Sequence, residues 1–80
     1  MTKVYSLKLS SEDLLWFWQQ KTGQKTNLCC EKFCTNSNIE GTIVHCHNEN
    51  KNYIIPLCQE HKNSDKEMEI PPHFSLVEYK

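Results

Sequence analysis

The most constraining stretch of this chain runs over residues 29–63, CCEKFCTNSNIEGTIVHCHNENKNYIIPLCQEHKN. It holds all five cysteines and three of the four histidines. The first half offers Cys29 or Cys30 followed by Cys34; the second offers Cys58 and, with two residues between, His61. Two short donor pairs joined by an insert of hairpin length suit a tetrahedral Zn²⁺ ion. Such an ion takes four S or N ligands, and each short pair supplies two from one local turn.

Chain size points the same way. Eighty residues make one domain. At 38% hydrophobic content, so short a chain buries too little apolar surface to be comfortably stable without a disulfide, a metal or a partner. Five is an odd number of cysteines, whereas disulfide frameworks use even numbers and belong to secreted chains. The N-terminal MTKVYSLKLSSEDL is charged throughout and has no apolar run of signal-peptide length. No stretch approaches the roughly 20 apolar residues of a membrane span. The expectation is a cytoplasmic, reduced protein whose cysteines bind metal. Net charge is −1, and all nine basic residues are lysines. Without arginine, the preferred residue for forked recognition of phosphate and guanine, strong nucleic-acid binding is not expected.

Taken in order, residues 3–9 alternate loosely, with Tyr5, Leu7 and Leu9 on one side, and read as a short strand or extended arm. Ser10 then reads as a helix N-cap, with Asp13 at the capping-box position and Leu9 and Leu14 as a hydrophobic staple. Glu12 and Asp13 complement the helix dipole in the first turn, and Gly23 is a natural stop. An amphipathic helix over residues 11–22 follows. It carries LLWFW, residues 14–18. Leu14, Phe17 and Trp18 are expected to pack against the metal-binding region. Trp16 and Trp18 are also candidate partner-binding residues, because so small a domain has difficulty covering both and Trp is enriched at binding hot spots. Residues 24–28 read as a polar linker and 35–41 as loop, with Gly41 allowing an unusual backbone angle. Residues 42–47 and 53–57 are β-rich runs around a five-residue turn, the strongest hairpin signal in the chain. Pro56 must lie at a strand end or sheet edge. A short helix is expected from about Cys58 to Lys62, a solvated segment over 63–69, a break at Pro71-Pro72, and a last strand or edge-pairing tail over 73–79.

Ligand turn, hairpin, ligand pair, short helix is the order of parts in a treble-clef zinc finger, which residues 29–63 resemble through Cys29-x4-Cys34 and Cys58-x2-His61. Within that class the stretch is similar to small HNH-endonuclease-like proteins. Gly41, His45 and the run from Tyr53 through Pro56, Leu57 and Cys58 to His61 match their YIVPLCxxHN-like segment, with Asn63 one place late. The resemblance covers residues 29–63 alone and implies a zinc turn, β-hairpin and short helix there; with the N-terminal arm and helix over 1–28 and a C-terminal tail or edge strand over 64–80, the expected fold is α+β. It also favours the longer spacer, making Cys29, Cys34, Cys58 and His61 the zinc ligands and leaving Cys30 as a buried or partly exposed thiol. Cys46 then reads as a core thiol and His47 as a surface histidine, since successive strand residues face opposite ways.

In HNH nucleases the histidine at the place of His45 activates water beside a second metal, which needs a further histidine from the final helix. This chain has Lys62 at the matching place, and a protonated lysine cannot bind a metal. No acidic residue adjoins His45. The expected function is therefore a non-enzymatic zinc module, without catalytic residues, that binds another macromolecule. A protein partner is favoured; nucleic acid is weakly supported. One alternative is an HNH-type nuclease using His45. Another is a small phage or mobile-element inhibitor acting on a host factor.

Overall fold

A computed structural model describes residues 2–32 and 34–79. The elements are β1 (Thr2–Ser11), α1 (Glu12–Thr22), β2 (Ile39–Cys46), β3 (Lys51–Cys58), α2 (Gln59–Lys62), β4 (Met68–Ile70) and β5 (Val77–Tyr79). All five strands join one antiparallel sheet in the order β4-β1-β2-β3-β5. The α+β class expected from the sequence is observed.

The hairpin β2–β3 forms the middle of the sheet, as its β-rich runs predict, in continuous register from Ile39↔Cys58 to Cys46↔Lys51. Its turn is tighter than expected: residues 47–50 close it, Asn50 takes φ 53°, and the Asn50 N–H donates to the His47 carbonyl at 3.3 Å. Asn is among the few non-glycine residues that tolerate that angle. Pro56 sits near the end of β3, beyond the reach of β5, where its missing N–H breaks no ladder bond.

β1 is more than an arm. It is a ten-residue strand between β2 and β4. The expected shared face of Tyr5, Leu7 and Leu9 is not formed. Register with β2 shifts between Ser6 and Leu9, Lys8 takes φ 63°, and Leu7 and Leu9 are left exposed. Leu7 and Lys8 have no partner on β2 between the Ser6↔Val44 and Leu9↔Ile43 pairs, so β1 bulges there and its alternation is broken. The buried β1 residue is Val4.

The helix begins one residue later than expected. Ser11, in extended conformation, is the N-cap, and its hydroxyl accepts from the Leu14 N–H at 3.1 Å. With the cap moved from Ser10 to Ser11, neither Asp13 nor the Leu9–Leu14 pair occupies its capping-box or staple position. Gly23 ends the helix at φ 70°, donating to the Gln19 carbonyl.

Neighbouring residues on β2 and β3 point to opposite faces of the sheet, and two cores result. On one face Trp18 packs on the paired Ile43 and Ile54. Gly41 permits this approach: a Cβ there would lie 2.1 Å from Leu15 N and 2.3 Å from the Leu14 carbonyl carbon. Its φ is not positive, so the glycine is required for lack of space and not, as expected, for an unusual angle. On the other face Val44, Cys46, Ile55 and Leu57 pack with Val4, Met68, Ile70, Cys29 and Cys30. Residues 63–69 are thus only partly solvated, since Met68, the first residue of β4, is core.

The C-terminal segment is fastened from α1. Trp18 Nε1–H donates to the Ser75 carbonyl at 2.8 Å, and the Gln24 amide both donates to the His73 carbonyl and accepts from the Ser75 N–H. Phe74 touches both cores. These bonds deliver β5 to the free side of β3, so residues on both sides of the 29–63 stretch supply strands to one sheet. Among the described residues no helix is long and apolar enough to cross a membrane.

Candidate metal centre

β3 ends at Cys58, which is also the N-cap residue of α2, and His61 follows one helical turn later. The strand-to-helix corner therefore holds this pair together. Cys29 and Cys34 lie in a segment without regular secondary structure, shaped by backbone bonds. The Cys34 N–H donates to the Glu31 carbonyl at 3.1 Å, and the Cys29 N–H to the Asn36 carbonyl at 2.9 Å. Two further bonds, Cys30 N–H to the Pro56 carbonyl and Lys32 N–H to the Glu69 carbonyl, tie this turn to β3 and β4.

The result is one cluster. The ligand atoms of Cys29, Cys34, Cys58 and His61 all lie within 4.8 Å of one another. Cys34 Sγ to Cys58 Sγ is 3.8 Å, Cys29 Sγ to His61 Nδ1 is 3.6 Å, and Cys58 Sγ to His61 Nδ1 is 3.1 Å. Zn–S bonds of about 2.3 Å and Zn–N bonds of about 2.0–2.1 Å, set at tetrahedral angles, place ligand sulfurs roughly 3.8 Å apart and sulfur and nitrogen roughly 3.6 Å apart. The first two separations match, and the third is shorter. The four side chains can therefore hold a metal ion, and the donor set is consistent with zinc.

Charge in the cluster favours the same conclusion. Burial pushes the Cys29 thiol up to about 12, opposed by backbone N–H donors and reinforced by the neighbouring sulfurs of Cys58 and Cys34. Burial also raises Cys58. The Asn36 amide and the backbone and ring of His61 outweigh it and hold that thiol at about 6. Several thiolates this close are mutually repulsive without a cation.

Two supporting groups gave no signal in the sequence. The Asn36 side-chain N–H donates to Cys58 Sγ at 3.5 Å, and Glu31 Oε2 lies 3.7 Å from His61 Nε2. Nδ1 is turned to the sulfurs and Nε2 to the carboxylate, the arrangement in which a carboxylate orients a metal-binding histidine. Neither spacing belongs to a pattern, because both contacts depend on how the turn folds back on α2.

The remaining donors lie elsewhere. Cys30 is fully buried in the core, and burial raises its thiol. Cys46 is likewise in the core and His47 is exposed. His45 Nδ1 is 2.7 Å from Asn52 Oδ1 across the hairpin and edge-on to the His47 ring, with Tyr5 beyond. The ammonium of Lys62 is paired with Glu40. The two tryptophans separate. Trp18 is fully buried on Ile43 and Ile54 with its N–H bonded, a core residue as expected, and its alternative role as a partner-binding residue falls away because it offers no surface. Trp16 is 62% exposed.

The geometry defines a small α+β domain with a Cys₃His cluster able to hold a metal ion. No protein-family model, no curated protein and no solved structure matches the chain.

Proposed function

We propose that the chain is a non-enzymatic zinc module of the treble-clef kind, in which the ion fixes the fold and the surface binds another protein. The observation that carries this is the convergence of three sulfurs and one imidazole at tetrahedral spacing. Zn²⁺ with four protein ligands has no open position for water or substrate, so its role is structural. The order of turn, hairpin and short helix supports the treble-clef reading, although α2 spans only four residues. Exposed aromatic surface on α1, Trp16 above all, supports a protein partner.

The nuclease alternative is less well supported. His45 is turned to Asn52, and Lys62 is engaged with Glu40; a protonated lysine cannot bind a metal. The inhibitor alternative is one special case of protein binding. Elemental analysis of the purified chain tests the reading. One equivalent of zinc is expected for the parent and for Cys30→Ala, with loss of zinc in Cys29→Ser and Cys34→Ser. Divalent-metal-dependent DNA cleavage that disappears in His45→Ala would overturn the non-enzymatic assignment.

A further inference from the structure

The two helices lie on opposite faces of the sheet. Trp18 of α1 packs on Ile43 and Ile54. α2 is held instead through Lys62 to Ser6 and Glu40, whose strand partners Val44 and Leu57 belong to the other core. His45 shares the face of Ile43, because residues two apart on a strand point the same way and β2 pairs with β3 without a break. Its ring lies 4.8 Å from the ring of His47, which in turn meets the Tyr5 ring at 4.9 Å. His45 is half-buried and His47 exposed. Asn52, directly across the hairpin, fixes the tautomer of His45. An amide oxygen can only accept, so Nδ1–H donates to Asn52 Oδ1 at 2.7 Å and Nε2 keeps its lone pair. Ligating histidines are oriented in this way, by an oxygen that holds the other ring N–H. No described residue hydrogen-bonds to that Nε2 or to either ring nitrogen of His47.

The geometry points to His45 and His47 as the protein ligands of a second, open metal site, one for a late first-row divalent cation with water in its remaining positions. Imidazole nitrogens suit such ions. With bonds of about 2.0–2.1 Å, as imidazole makes to zinc, two ligating rings at roughly 90–110° stand about 4.5–5.2 Å apart between centroids. The observed 4.8 Å falls inside that span. The rings meet edge to face at 84°, and turning the exposed His47 about its broad χ2 brings its lone pair toward that of His45. This site is separate from the sulfur cluster and does not rest on it. Nor is it the second metal of the nuclease likeness, which needs a donor from the final helix; α2 lies on the far face of the sheet. Two imidazoles hold an ion more weakly than three thiolates and an imidazole. The site therefore fills second and empties on desalting, in keeping with one equivalent of zinc in the purified chain.

The test is to titrate Ni²⁺ into the full, zinc-loaded, ¹⁵N-labelled chain, following paramagnetic line broadening and, in the same samples, any zinc set free. Broadening should saturate and centre on residues 5, 45, 47 and 52, with no zinc released. His47→Ala removes an exposed side chain, leaves the fold intact and should abolish the saturable site. Asn52→Leu should weaken Ni²⁺ binding about tenfold or more, the usual worth of a group that orients a ligating histidine. His73→Ala, which removes an exposed histidine outside the hairpin, should change nothing. Broadening centred elsewhere, a site that survives His47→Ala, an unaffected Asn52→Leu variant, or zinc released in step with nickel bound would each overturn the assignment. Failure of this inference and failure of the zinc-module reading are distinguishable. Zinc without saturable nickel at His45 and His47 ends this inference alone; nickel bound there by a folded chain that purifies without zinc ends the zinc-module reading alone.

Discussion

Removing the ion should unfold the protein, and the size of the effect can be worked from the structure. An ion held by the cluster would join Cys29 to His61 across most of the middle of the chain. Treated as a cross-link closing a loop of 33 residues, counted from Cys29 through His61, it removes unfolded-state entropy worth about 4 kcal/mol. That is a lower bound; ligand bonding in zinc-finger peptides brings apparent binding to about 10–16 kcal/mol. A chain of 80 residues has about 4–12 kcal/mol of stability in all. The turn that covers the second core has no regular secondary structure, and only a few backbone bonds hold it apart from the cluster. Chelation, or Cys58→Ser, should therefore bring the chain to the unfolded side near room temperature. The assay is thermal melting by circular dichroism at buffered free zinc. Each tenfold rise in free zinc adds about 1.4 kcal/mol, which moves Tm by about 6–11 °C in a domain of this size. A Tm indifferent to free zinc over several decades, with Cys58→Ser melting like the parent, would refute the reasoning.

Zinc affinity should rise with pH. At pH 7 the Cys29 thiol is protonated and Cys58 is mostly thiolate, so binding must expel at least one proton and the apparent Kd should fall at least tenfold per pH unit. Below about pH 6 Cys58 is protonated as well, and the dependence should steepen; calorimetry in buffers of differing ionisation enthalpy counts the protons. Gly41→Ala should cost at least about 3 kcal/mol in urea melts, because its Cβ would meet backbone atoms of α1 at 2.1–2.3 Å and the helix must move off Ile43 and Ile54; a loss under 1 kcal/mol would contradict the packing. Trp18→Ala should cost about 3–5 kcal/mol, whereas Trp16→Ala, 62% exposed, should stay within about 0.5 kcal/mol while weakening any partner contact made through α1. Equal effects of the two on stability would show that the helix face has been assigned wrongly.

What could be read from the residues alone was local. The helix, expected over residues 11–22 and found over Glu12–Thr22, followed from its acidic first turn and Gly23, the hairpin from two β-rich runs around a polar turn, and the four donors from their spacing, with a resemblance choosing Cys29 over Cys30. Each depends on neighbours a few positions apart. What lay beyond that reach was decided by distant contacts. β1 became an interior strand because β4, whose Met68 and Ile70 sit in a charged stretch, pairs with its outer side. Trp18 is buried and Trp16 exposed because Gly41, on another strand, admits one side of α1 and no other. Asn36 and Glu31 support the cluster only once the turn has folded back against α2. Donor spacing is a property of the chain and survives in its sequence. The face a helix buries, and the strand that closes a sheet, depend on surfaces that come together only after folding.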